Sequence, residues 1–212
     1  MKDVGTGARL RQTVLVTAFG AFPGARTNPT LAILARLERS RGRLARLGID
    51  LHGLALPVVY DALAPALRTA AAASRPDAVL HLGLAGRRRW LSVETRAVNR
   101  AGPLHPDAAG RRPAQVLAPG GKPVLRATWP SARLRAALAR AGHDARLSID
   151  AGDYVCNATL YRSLAAGLAP RVGFLHVPRP GGRLTLDAMT EAALALILEM
   201  TRAALPRRES SR

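Results

Sequence analysis

The chain holds one cysteine, Cys156, in the stretch Asp150-Ala-Gly-Asp-Tyr-Val-Cys-Asn157, where a helix is expected to begin. A lone cysteine cannot form an intramolecular disulfide, so packing, reactivity or chance must account for it. Packing is the common reason, because a free cysteine behaves as a small buried hydrophobe. Reactivity has support from position: unpaired N–H groups at a helix start stabilise a thiolate and can donate to an oxyanion. A thiol nucleophile also needs a base. His176, in Gly173-Phe-Leu-His-Val-Pro178, falls at the carboxyl end of the last expected strand, the edge at which open α/β sheets place their clefts. A core histidine would fit that place equally well. Glu94, in Leu91-Ser-Val-Glu-Thr-Arg-Ala-Val-Asn99, is the carboxylate that could orient such an imidazole; a salt bridge with Arg96 or another neighbour is the plainer reading. Asp150 and Asp153 are read as braces of the turn before Cys156. His81, inside an apolar run, is read as structural.

Other chemistries lack their signatures. Gly5 and Gly7 precede the first expected strand, whereas a nucleotide-binding glycine turn follows a strand and opens a helix. There is no Gly-Lys-Ser/Thr turn and no Gly-x-Ser-x-Gly elbow. One cysteine and five dispersed histidines, at 52, 81, 105, 143 and 176, offer no short ligand pair, so a metal is not expected.

The elements that must position these residues follow from pattern. Val14–Ala18, Ile49–Leu56, Ala78–Gly83, Ala145–Ile149 and Val172–Val177 read as strands. Asn28 as N-cap with Pro29 at the first helical position opens a helix through about Leu47. Further helices are expected over Val59–Ser74, Ser131–Ala141, Asn157–Leu168 and Thr185–Ala204. Trp90–Val98 reads as a strand or hairpin arm, and Arg100–Pro123, rich in Gly and Pro, as surface loop. Alternation of strands and helices with short connections implies an α/β sandwich with a mostly parallel central sheet. Its 212 residues suit one domain, expected over 13–205 between a loose segment at 1–12 and a polar tail at 206–212.

Composition narrows the class. No apolar run approaches the roughly 20 residues that span a bilayer, and the N-terminus lacks the pattern of a signal peptide, so a cytoplasmic location without membrane attachment is expected. The net charge of +18 invites an anionic partner, but 30 of the 32 basic residues are arginines scattered along the chain. Arg87-Arg88-Arg89 is the densest internal cluster, and aromatic residues, which would stack on bases, make up only 4%. Nucleic-acid binding is therefore not expected.

Taken together and in order, these segments resemble the pyroglutamyl peptidase I family of cysteine peptidases. Thr17-Ala-Phe-Gly-Ala-Phe-Pro-Gly24 with Asn28-Pro-Thr30 is similar to the family's Thr-Gly-Phe-x-Pro-Phe-Gly-Gly and Asn-Pro-Ser. Glu94-Thr-Arg-Ala-Val-Asn99 resembles Glu-Arg-Val-Ala-x-Asn, Ala151–Asn157 resembles Ala-Gly-x-Tyr-x-Cys-Asn, and Gly173–Pro178 resembles Gly-Phe-Ile-His-Val-Pro. The resemblance implies a single-domain α/β/α sandwich of the phosphorylase/hydrolase-like kind. It further implies a Glu94, Cys156, His176 triad and cofactor-free removal of an N-terminal pyroglutamyl residue from peptides. Phe19, Phe22, Tyr154 and Val155 match positions that hold the flat lactam ring, with Asn28 and the backbone near Leu84 at its polar edge. A homotetramer is common in the family. Two departures stand out. Leu84 replaces a glutamine, and Leu104, in Gly102-Pro-Leu-His-Pro-Asp107, replaces an arginine associated with the oxyanion site. Loss of one such donor costs on the order of 100- to 1,000-fold in turnover. His105, Arg100 and Arg87 are the candidate replacements; a slow or inactive member that binds a lactam-like group is the alternative.

Overall fold

The computed structural model describes residues 11–22 and 25–202. The expected tail at 206–212 and all but the last two residues of the expected loose segment at 1–12 lie outside them. Gln12 already belongs to the first strand, β1 (Gln12–Phe19). The other strands of the main sheet are β2 (Ile49–Leu56), β3 (Ala78–Leu84), β4 (Leu91–Glu94), β7 (Ala145–Ser148) and β8 (Arg171–Val177). A two-stranded antiparallel ribbon joins β5 (Arg96–Val98) to β6 (Val124–Arg126). The helices are α1 (Pro29–Arg39), α2 (Arg41–Arg46), α3 (Tyr60–Ser74), α4 (Ser131–Arg140), α5 (Val155–Ala165) and α6 (Leu186–Arg202).

The main sheet runs in the order β2-β1-β3-β8-β4-β7. Every pair is parallel except β4 with β8, which is antiparallel. The central strands β1, β3 and β8 are buried along nearly their whole length, as expected of strands covered on both faces. Leu37 of α1, Leu44 of α2, Leu134 of α4 and Leu196 of α6 pack on one face, and Leu63 of α3 and Leu160 of α5 on the other. None of the helices, over the described residues, is long and apolar enough to cross a membrane.

Three expectations need correction. The helix read through Leu47 breaks at Ser40, whose backbone N–H turns back to Leu37 and Glu38 and whose hydroxyl donates to the Arg36 carbonyl. A serine that offers the backbone this local bond, with Gly42 just beyond, favours interruption. Trp90–Val98 is not one arm: it divides at Thr95 into β4, in the main sheet, and β5, in the ribbon. The Thr95 hydroxyl and N–H both donate to Ser148 O, fixing the corner. The third is β6, which stands between the expected loop ending at Pro123 and the expected helix at Ser131, where no element is expected; its residues are exposed or half-buried and carry no clear hydrophobic alternation.

Candidate active site

Strand geometry sends alternate side chains to opposite faces. On the α3/α5 face this brings together Thr17 and Phe19 of β1, His81 and Gly83 of β3, Phe174 and His176 of β8, and Ser92 and Glu94 of β4. Register does the rest: His176 lies opposite Gly83 on one side and Ser92 on the other, and Glu94 opposite Phe174. Residues 82 positions apart, Glu94 and His176, thereby meet with His176 Nδ1 2.8 Å from Glu94 Oε1. A carboxylate only accepts hydrogen bonds, so Nδ1 carries the hydrogen and Nε2 is left able to accept a proton. Glu94 is fully buried and His176 nearly so. The alternative pairing with Arg96 does not occur; the Arg96 side chain donates to Ile149 O.

Cys156 arrives from the helix side. It is the second residue of α5, whose N-cap, Tyr154, provides no side-chain cap. The first-turn N–H groups are therefore available to a ligand. Asn157 secures this end: its buried side chain accepts from Val98 N (2.9 Å) and donates to Val98 O (2.9 Å) and Arg100 O (2.8 Å). Beneath the thiol only glycine fits at position 83, because a Cβ there would stand 2.6 Å from Phe174 Cζ and 2.9 Å from Cys156 Sγ.

Cys156 and His176 line one cleft of about 210 Å³ together with Phe19, Phe22, Asn28, Leu84, Tyr154 and Val155. Glu94 stands behind His176 and does not line it. The cleft is smaller than the roughly 300–1,000 Å³ of sites for drug-sized ligands, so it suits one small, largely apolar group. Phe22 and Tyr154 face each other with ring centroids 5.8 Å apart, and Tyr60 packs edge-on against Tyr154. Phe19 is held by Thr30, whose hydroxyl accepts from Phe19 N and donates to Phe19 O. Asn28 spends much of its amide on the α1 N-terminus: Oδ1 accepts from Thr30 N and Nδ2 donates to Gly20 O. One Nδ2 hydrogen remains free to donate to a ligand.

The electrostatics bear on the thiol. Burial, with a further push from the Glu94 charge, drives the Cys156 thiol up to about 12, and Arg88 only partly offsets this. Burial thus works against a resting thiolate and favours loss of the thiol proton as the sulfur reacts. His81, fully buried with Nδ1 2.7 Å from the Thr17 hydroxyl, is lowered to about 3 by burial and stays neutral, in keeping with a structural role. Asp150 braces the turn by accepting from Gly152 N, whereas Asp153 lines the cleft.

The region of Leu104 is the clearest difference from expectation. Leu104 is 75% exposed and lies outside the cleft lining, as do His105, Arg100 and Arg87. The loop is instead anchored by its neighbours. Buried Asp107 accepts from Tyr60 N at the start of α3 and from Ala109 N and Arg111 N, and the Tyr154 hydroxyl donates to Pro106 O. The arginine that does line the cleft is Arg88, with Nη1 2.7 Å from Glu94 Oε1 and Nη2 2.6 Å from Asp150 O. Its place six residues before Glu94, in the densest arginine cluster, was the available signal. Gly83 and Arg88 are the functional candidates that the sequence reading passed over.

Among the described residues no three His, Cys, Asp or Glu side chains are grouped to hold a metal ion. The sequence pattern of the pyroglutamyl peptidase family matches residues 12–206. The chain is 34% identical over 201 residues to the pyrrolidone-carboxylate peptidase of Gloeobacter violaceus, covering 89% of this chain and 96% of that protein. It is 33% identical over 209 residues to the enzyme of that name from Chromobacterium violaceum, covering 93% and 97%. Among solved structures, a mutant pyrrolidone carboxyl peptidase of Pyrococcus furiosus superposes with a TM-score of 0.83 at 28% identity, over 92% of this chain and all of that one. Pyrrolidone carboxyl peptidase of Thermus thermophilus superposes with a TM-score of 0.77 at 36% identity, over 88% and 99%. With a matching pattern over nearly its whole length, relatives a third identical and the same α/β architecture, the chain belongs to the pyroglutamyl peptidase family of cysteine peptidases.

Proposed function

We propose that this protein hydrolyses the amide bond after an N-terminal pyroglutamyl residue of peptides, through a triad of Cys156, His176 and Glu94. The observation that carries the reading is that Cys156 and His176 share one small cleft while Glu94 holds the far nitrogen of His176. The lactam ring lies among Phe19, Phe22, Tyr154 and Val155, with Asn28 and the backbone near Leu84 at its polar edge. His176 Nε2 takes the proton of the Cys156 thiol as Sγ attacks the carbonyl carbon, Glu94 stabilising the imidazolium that forms. The uncapped N–H groups of α5 donate to the oxyanion of the tetrahedral intermediate. As that intermediate collapses, His176 gives its proton to the departing amine, leaving a thioester. Water, deprotonated by His176, attacks the thioester, releasing pyroglutamate and the thiol. The raised thiol fits this order of events, since deprotonation accompanies attack rather than preceding it.

Turnover of a pyroglutamyl-linked chromogenic amide by the wild type and by Cys156→Ser tests substrate and nucleophile together. The expected result is release of chromophore by the wild type and a loss of roughly 10⁴-fold or more in the variant at unchanged melting temperature. Wild-type protein inactive on every such amide, or a variant of equal rate, rejects the reading. The exposure of Leu104 favours a second, coarser reading of the same site. Without an arginine from that loop, the enzyme is a slow member of its family, by about 100- to 1,000-fold in kcat.

A further inference from the structure

Arg88 is the only arginine or lysine among the cleft's described lining residues, and its side chain is three-quarters buried, at 25% exposure. Its two terminal nitrogens grip different parts of the site. Nη1 donates to Glu94 Oε1, the same oxygen that accepts His176 Nδ1; Nη2 donates to Asp150 O. Asp150 opens the turn that leads into α5, so one planar guanidinium spans from the carboxylate on β4 to the loop that delivers the thiol. Burying a charge without a partner is costly, and Arg88 supplies the partner of fully buried Glu94.

We infer that Arg88 is a positioning residue of this site: its charge balances buried Glu94 beside the Cys156 thiol, while its two-point grip fixes the 150–154 turn against Glu94. The charged and titratable groups around the thiol are Glu94 from β4, His176 from β8, Tyr60 from α3, and Asp153 and Tyr154 from the turn; Arg179 packs over Gly86 in the Arg88 loop. Of these cations only Arg88 acts on the thiol, opposing the upward push of Glu94. Arg is suited to this post and Lys is not, since an ammonium supplies the charge but not a fork that reaches two acceptors.

The test separates charge from grip with Arg88→Gln and Arg88→Lys. The first readout, alkylation of Cys156 by iodoacetamide between pH 8 and 10, needs no substrate. Arg88→Gln is expected to alkylate roughly tenfold more slowly at each pH, as befits a thiol that has lost a nearby cation, and Arg88→Lys at the wild-type rate. The second readout is kcat on the pyroglutamyl amide, which rests on the hydrolytic reading above. Here Arg88→Lys is expected to lose about tenfold despite its retained charge. Wild-type alkylation by a folded Arg88→Gln, or wild-type kcat in Arg88→Lys, overturns the inference. A wild type without turnover whose Arg88→Gln variant alkylates slowly removes the pyroglutamyl reading and supports Arg88. If thermal melting shows Arg88→Gln unfolded, Arg88→Lys decides alone.

Discussion

The two faces of the central sheet are built from the same strands and both carry an apolar cluster, but only one also buries a row of polar side chains. Toward α1, α4 and α6 the strands present Val14, Val16, Leu80, Leu82, Val93, Leu175 and Val177, and the helices answer with Leu37, Leu134, Leu196 and Ile197. Toward α3 and α5 the intervening positions include buried Thr17, His81, Ser92, Glu94 and His176. One register thus writes a dry core and a reactive layer in alternation, and the apolar face offsets what the polar one costs. That cost is visible. His81 Nε2, Ser92 Oγ and Glu94 Oε2 are buried without a protein partner among the described residues, a condition that interiors generally avoid.

The comparison breaks most sharply under acid. His81 is neutral in the fold at about 3 against an ordinary 6.5, so the unfolded chain binds its proton first as pH falls. The stabilising contribution is complete above about pH 6.5 and is lost toward pH 3, a difference on the order of 5 kcal/mol. Urea unfolding between pH 4 and 7.5 should show this slope in the wild type and a flatter one in His81→Gln; equal slopes would remove His81 as the cause. Next in size, Leu196→Ala on the dry face should cost about 2–5 kcal/mol of stability and leave kcat/KM unchanged. A comparable loss of turnover at temperatures where the variant is folded would mean that the faces are not separable. The smallest change in stability is expected from Gly83→Ala, about 1–3 kcal/mol of overpacking against Phe174. Yet it should abolish most hydrolysis and slow alkylation of Cys156, because the added methyl group occupies thiol space. Wild-type turnover in Gly83→Ala would show that the glycine has no part in the site.

Legibility followed locality. The runs Val14–Ala18, Ala78–Gly83 and Val172–Val177 announced strands because each is apolar over its own few residues, and they stand where they were expected. The candidate site residues could be picked out because they sit in short motifs in a fixed order, and family membership accounts for that order. What escaped depended on neighbours distant in sequence. The corner at Thr95 is set by bonds to Ser148, and β6 is a strand only because β5 pairs with it. Helix α5 starts at Val155 rather than Asn157, since the Asn157 side chain is occupied in clamping Val98 and Arg100 instead of capping the helix.

The order of the main strands and helices, the alternation that separates a core face from a polar face, the lone thiol and the family were determined by the sequence alone. All are written in residue type and spacing. The tertiary structure decided which groups reach one another. It turned Leu104, His105 and Arg100 away from the cleft and chose Arg88 over Arg87 as its cation. It also set the burial that pushes the Cys156 thiol up. The reason is physical: a guanidinium's direction and a thiol's desolvation are set by loop paths and by atoms contributed from other strands and helices, which no local pattern encodes.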